Sequence, residues 1–126
     1  MRLLLDTVTF IWAVSAPERI SKRAISALQI QSAMLEISPV SISEIAIKQT
    51  RQKLQLDSAD VLRGIEDLRL RILPYTADHA LRLFHLPLHH PDPFDRQLIA
   101  QALSEKIPIV TCDEKFTLYA GLKVIW

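Results

Sequence analysis

The chain has 126 residues, of which 49% are hydrophobic and 23% charged, with 15 Lys plus Arg against 14 Asp plus Glu. This is apolar material for one buried core over residues 1–126, and it excludes a disordered chain. The net charge of +1 makes no case for or against nucleic acid, because a local basic patch is compatible with it. The single cysteine, Cys112, excludes an internal disulfide and fits a reducing compartment. An acid at position 6 comes too early for the apolar core of a signal peptide, and no run has the length of a membrane span. The expectation is one cytoplasmic domain that does not enter a membrane.

LLLD (3–6) reads as a short buried strand ending in an acid. TFIWAV follows as a short helix, and Ser21 is placed to cap a helix over KRAISALQIQSA. MLEIS (34–38) is a second strand. Ser41 then opens S-I-S-E, a capping-box pattern that predicts a helix through about Lys53. A further helix covers 58–69, RILPY (71–75) is a third strand, and Thr76 caps a helix over ADHALRLF. A loop rich in proline and histidine leads into a helix over 93–105, with Pro93 at its first position. IPIVTCD (107–113) is a fourth strand ending in an acid, and LKVIW a fifth. Gly64 and Gly121 are too few for a glycine-rich phosphate loop. Strands alternating with helices predict an α/β fold: a mainly parallel five-stranded sheet sandwiched by helices.

In such sheets ligands bind beyond the carboxyl ends of the strands. Asp6 and Asp113 end the first and fourth strands, Glu44 lies in the first turn after the second, and Asp95 opens the helix leading into the fourth. Each has an ordinary explanation: Asp6 and Asp113 as loop residues, Glu44 as partner of Ser41 or Lys48, Asp92 as a cap, Asp95 as a complement to the helix dipole. Together they call for compensation, because two carboxylates 4 Å apart repel by about 4 kcal/mol at an effective dielectric of 20. A divalent cation is the simplest, and hard oxygen donors suit Mg²⁺ or Mn²⁺. His85, His89 and His90 raise a zinc site, but their irregular spacing in a proline-rich stretch reads better as a surface loop. Arg96 is placed either to contact phosphate or to pair with a nearby acid. Cys112 borders the acids, where negative charge disfavours a thiolate nucleophile.

LLLDT, SISEIAIK, DPFDRQLIAQA and TCDEKF, in this order and over nearly the whole chain, resemble the PIN-domain ribonucleases, above all the VapC-type toxins of bacterial toxin–antitoxin pairs. The resemblance implies that Asp6, Glu44, Asp95 and Asp113 bind Mg²⁺ or Mn²⁺ and cut an RNA phosphodiester, with Asp92, Arg96 and the Thr111 hydroxyl in support. It further implies a homodimer and a cognate antitoxin that inserts a peptide into the acidic groove. The chain departs from the family's common pattern at Val8, Ser43, Gln52 and Cys112, and no departure removes a carboxylate. The alternatives are a PIN-fold interaction domain without activity and a Mg²⁺-binding receiver-type signalling module. The receiver needs paired acids after the first strand, where Asp6 is followed by Thr7.

Overall fold

A computed structural model describes residues 1–126. Four short runs, mostly of branched and aliphatic residues, pair about β1 (Arg2–Leu5), the central strand of five. β2 (Met34–Ile37) and β3 (Arg71–Ile72) lie on one side of it, and β4 (Ile109–Val110) and β5 (Val124–Ile125) on the other. The order is β3-β2-β1-β4-β5 and every pairing is parallel. The expected parallel α/β sandwich is therefore the fold. β3 to β5 are shorter than their sequence signals, and β3 gives way where Pro74 offers no N–H after the Leu73–Ile37 bond.

Strand alternation sorts the core into two faces. Leu4 and Ile109 face Leu98, Ile99 and Ala102 of α6 (Pro93–Glu105), which packs beside α5 (Ala77–Arg82). Leu3, Leu5 and Val110 face the opposite layer. It comprises α1 (Thr7–Ser15), α2 (Lys22–Leu28), α3 (Pro39–Thr50) and α4 (Ser58–Asp67). α2 stops at Leu28, short of the expected run to Ala33, because a turn closed by Ala33 N–H on Ile30 C=O returns the chain to the sheet. α4 crosses α1 at Gly64, where an added Cβ would stand 2.6 Å from Val14 Cγ2 and 3.1 Å from Phe10 Cζ. Gly64→Ala is expected to cost about 1–2 kcal/mol in urea unfolding, overpacking outweighing the helix propensity gained.

The helix that carries Glu44 starts earlier than the capping box at Ser41 implies. Ser38 is its cap, with the Ser38 hydroxyl accepting from Val40 N–H at 3.1 Å and Pro39 in the first turn. Ser41 is instead buried inside α3 and accepts a hydrogen bond from Thr7 Oγ1 at 2.9 Å, which ties α1 to α3. Glu44 thus belongs to the second turn, where it pairs with Lys48 rather than with a cap.

At the far end of the sheet from Asp6, Arg2 grips Glu36 through two bonds of 2.6 and 3.0 Å and reaches Glu105 at 3.2 Å. His79 Nε2 lies 3.0 Å from the other Glu105 oxygen. Glu36 is fully buried on the α6 side, level with Leu4 in the β1–β2 register.

Candidate functional site

The strand order reverses direction at β1, so α1 and the segment after β4 leave the sheet beside each other and open a crevice at the carboxyl edge. Asp6 sits at that point. Its Oδ1 caps α1 by accepting from Thr9 N–H at 2.8 Å, and its Oδ2 accepts from Thr111 Oγ1 at 2.6 Å. Thr111 in turn accepts from Asp113 N–H at 3.1 Å, so one hydroxyl links the first and fourth strand ends. Burial pushes the Asp6 carboxyl up, against the hydrogen bonds from Thr111 and Thr9, and Glu44 adds to the push.

Glu44 enters from α3, buried to 4% exposure. Its Oε2 accepts from Lys48 Nζ at 2.5 Å, while Oε1 is buried with no hydrogen-bond partner. Asp95 enters from the first turn of α6. Asp92 caps this helix, accepting from Phe94 N–H at 2.8 Å and Asp95 N–H at 3.0 Å. The Asp95 carboxyl is pushed up to about 8, first by burial and then by the charges of Asp92, Asp6, Glu44 and Asp113. Asp6, Glu44 and Asp113 therefore all lie within electrostatic reach of Asp95, and Glu44 within reach of Asp6. Asp113 caps the short helix Glu114–Leu118 through Oδ1 and leaves Oδ2 towards the crevice.

Two residues behave differently from their sequence reading. Arg96 neither pairs with an acid nor presents its guanidinium to the crevice. It donates to Pro87 C=O at 2.8 Å, Leu86 C=O at 3.1 Å and Tyr119 Oη at 3.4 Å, because the loop before α6 leaves those carbonyls without strand partners. His90 is no surface residue: it is 4% exposed, and its Nε2 lies 2.7 Å from Asp113 Oδ2 and 3.1 Å from Asp95 Oδ2. Sequence reasoning missed it. A proline-rich loop signals solvent, and nothing local announces that Phe116 will pack on the ring and Tyr119 will accept from its backbone N–H. His85 and His89 stay outside the cluster.

The donor set fits a divalent metal. Glu44 Oε1 is an orphaned buried oxygen, and leaving such an atom unpaired costs about 1–3 kcal/mol unless a cation or donor meets it. His90, Asp95 and Asp113 also bring donor atoms within 4.8 Å of one another, spacing that by itself would suit a nitrogen-containing site. The hydrogen bonding of the ring opposes that. Asp92 N–H donates to His90 Nδ1 at 3.1 Å, so the neutral imidazole carries its hydrogen on Nε2 and offers the carboxylates a donor. What remains for a metal is carboxylate oxygen, the chemistry of Mg²⁺ or Mn²⁺.

The chain matches no curated protein sequence at significant similarity. Among solved structures it is similar to VapBC2 from Rickettsia felis, bound to a DNA fragment from the promoter, with a TM-score of 0.76 at 16% identity, covering 98% of this chain and 97% of the other. DNA-bound VapBC from Salmonella typhimurium gives a TM-score of 0.73 at 18% identity over 98% and 96% of the two chains. FitAcB from Neisseria gonorrhoeae gives 0.60 at 19% identity over 97% and 95%. No helix of the structure is long and apolar enough to cross a membrane. Residues 3–122 match the PIN domain, a family whose members are generally nucleases, and with its parallel sheet and its acids at the carboxyl edge this chain belongs to the PIN-domain family.

Proposed function

We propose that this PIN domain is a metal-dependent endoribonuclease and the VapC-type toxin of a toxin–antitoxin pair. The observations that carry the nuclease reading are that Asp6, Glu44 and Asp113 all bear on the Asp95 carboxyl and that one buried Glu44 oxygen has no partner. Asp6, Asp95 and Asp113 would hold Mg²⁺ or Mn²⁺, with Glu44 as a further ligand or as the group that orients water. When bound, such a metal supplies a water of lowered pKa and offsets charge on the phosphoryl oxygens. The chain's own residues do the rest. Thr111 and the Thr9 N–H fix the Asp6 carboxylate in one rotamer, and Lys48 holds one Glu44 oxygen and leaves the other free. Lys48 is half-exposed beside the acids and places a cation where an RNA phosphate would approach. Asp92 supports the site by setting the start of α6, and Arg96 by fastening the loop before it.

The solved structures that share this fold include a member of the VapBC family of toxin–antitoxin systems, which supports a cognate antitoxin for this chain. The same reading includes a homodimer and an RNA substrate. An inactive PIN-fold interaction domain is the second reading; no observation favours it over turnover, because all four carboxylates are present and three of them bear on Asp95.

The test is cleavage of end-labelled total cellular RNA by purified, antitoxin-free protein with Mg²⁺ or Mn²⁺, alongside EDTA and Asp113→Asn controls. Discrete fragments that need both metal and Asp113 are expected. Folded, metal-bound protein that leaves every RNA intact would contradict the reading.

A further inference from the structure

We propose that His90 is a positioning residue of this site: its Nε2–H holds the Asp113 and Asp95 carboxylates facing the metal position, and it does not itself ligate the ion. The inference rests on the metal-nuclease reading above and assigns a role to a residue outside the acidic set.

The ring is fixed from every side. Its Nδ1 accepts from Asp92 N–H at 3.1 Å and its backbone N–H donates to Tyr119 Oη at 2.9 Å. Its edge meets the buried Phe116 ring at 5.5 Å between centroids and 85° between planes. Tyr119 Oη also accepts from His89 N–H at 3.2 Å and lies 3.4 Å from the Arg96 guanidinium, which clamps the Leu86 and Pro87 carbonyls. The segment that begins at Asp113 therefore supplies, through Phe116 and Tyr119, the walls that hold the histidine against Asp113 itself.

That rigidity fixes polarity. With Nδ1 occupied as an acceptor, the hydrogen of a neutral ring stands on Nε2, directed at Asp113 Oδ2 at 2.7 Å with Asp95 Oδ2 at 3.1 Å. Ligation through Nε2 needs the opposite tautomer, which would set an N–H at Nδ1 against the N–H of Asp92. The neighbouring carboxylates would otherwise repel each other into separate rotamers. A shared donor keeps one oxygen of each close to the same point and leaves the remaining lone pairs for a cation, as hydrogen-bonded partners of metal-bound carboxylates do.

Glutamine and asparagine separate the two ring nitrogens. Gln can reach the carboxylates with an amide N–H in place of Nε2, whereas Asn can replace only the Nδ1 acceptor. Mn²⁺ binding would be followed by the electron paramagnetic resonance signal of the free ion, on wild type, His90→Ala, His90→Asn and His90→Gln, with thermal melts to show folding. The expected result is Mn²⁺ affinity weakened by about 10–100-fold in His90→Ala and His90→Asn and largely kept in His90→Gln. Saturating Mn²⁺ should restore RNA cleavage to His90→Asn. Equal affinity in all four proteins would overturn the proposal and leave the nuclease reading intact. So would the reverse ranking, with Asn tolerated and Gln defective, which marks a purely structural role for Nδ1. A Gln variant as weak as Ala would mean direct ligation. Wild type that binds no Mn²⁺ at all would remove the nuclease reading and this one with it.

Discussion

Asp95→Asn is expected to lower RNA cleavage by on the order of 10²–10³-fold, the scale seen when one preorganised electrostatic group is removed, and to make the metal-free protein more stable. The two effects share a cause. An aspartate in an unfolded chain loses its proton near pH 4, as a rough reference, while Asp95 in the fold keeps it up to about 8 because of burial and the charges of Asp92, Asp6, Glu44 and Asp113. Folding therefore takes up a proton between those limits. This contribution to the stability of the metal-free wild type is complete below about pH 4 and is lost as the pH rises towards 8. Asparagine has no proton to lose, so that part of the slope disappears.

A shift of this size would correspond to about 6 kcal/mol at most, from roughly 1.4 kcal/mol per pH unit. With 20% of the Asp95 side chain exposed and Lys48 nearby, about 2 kcal/mol at pH 8 is the realistic scale, or roughly 5–10 °C in melting temperature. Scanning calorimetry in EDTA at pH 5 and pH 8 measures it. The wild-type curve should fall between the two, the variant should change less, and added Mg²⁺ should raise wild type more than the variant. A variant that melts below wild type at pH 8, or that cleaves RNA equally, contradicts the assignment.

Arg2→Met is the second large effect, and it lies outside the site. Glu36 is buried to 1% side-chain exposure with Arg2 as its charge partner, and Arg2 itself is 36% exposed. Removing the cation strands a carboxylate in the sheet beneath α6, and the expected loss is about 3 kcal/mol by urea unfolding, the lower end for broken buried pairs because Arg2 is half in water. The double variant Arg2→Met with Glu36→Leu should recover most of it, since apolar groups of similar size replace such pairs at little cost. Equal stability of Arg2→Met and wild type would show that water reaches Glu36.

The sheet was legible because its signals are local and consistent. LLLD and IPIVTCD each place an aliphatic run ahead of an acid, and parallel pairing puts those acids at one edge. The start of α3 was misread although its signature is present: Ser38 before Pro39 repeats the arrangement of Asp92 before Pro93, and a proline at the first helical position outranks the capping box that Ser41 imitates. Asp95 reaches the edge only because the loop before α6 folds back onto Tyr119, a contact between segments far apart in the chain. The same holds for His90 and for the Arg2–Glu36–Glu105–His79 network. Pattern within a window of residues reports periodicity and caps; it carries no information on which distant ring or carboxylate will arrive.

The Thr111–Asp6 hydrogen bond joins positions 105 residues apart, and β4 enters the sheet next to the first strand made. Domains fold as units during synthesis, and long-range pairing comes late. A growing chain has Asp6 and Glu44 outside the ribosome long before Asp113 emerges, yet the acidic crevice is closed only by the segment from Thr111 to Asp113. If the proposed ribonuclease reading holds, a nascent polypeptide would lack a complete acidic site beside the RNA on which it is made.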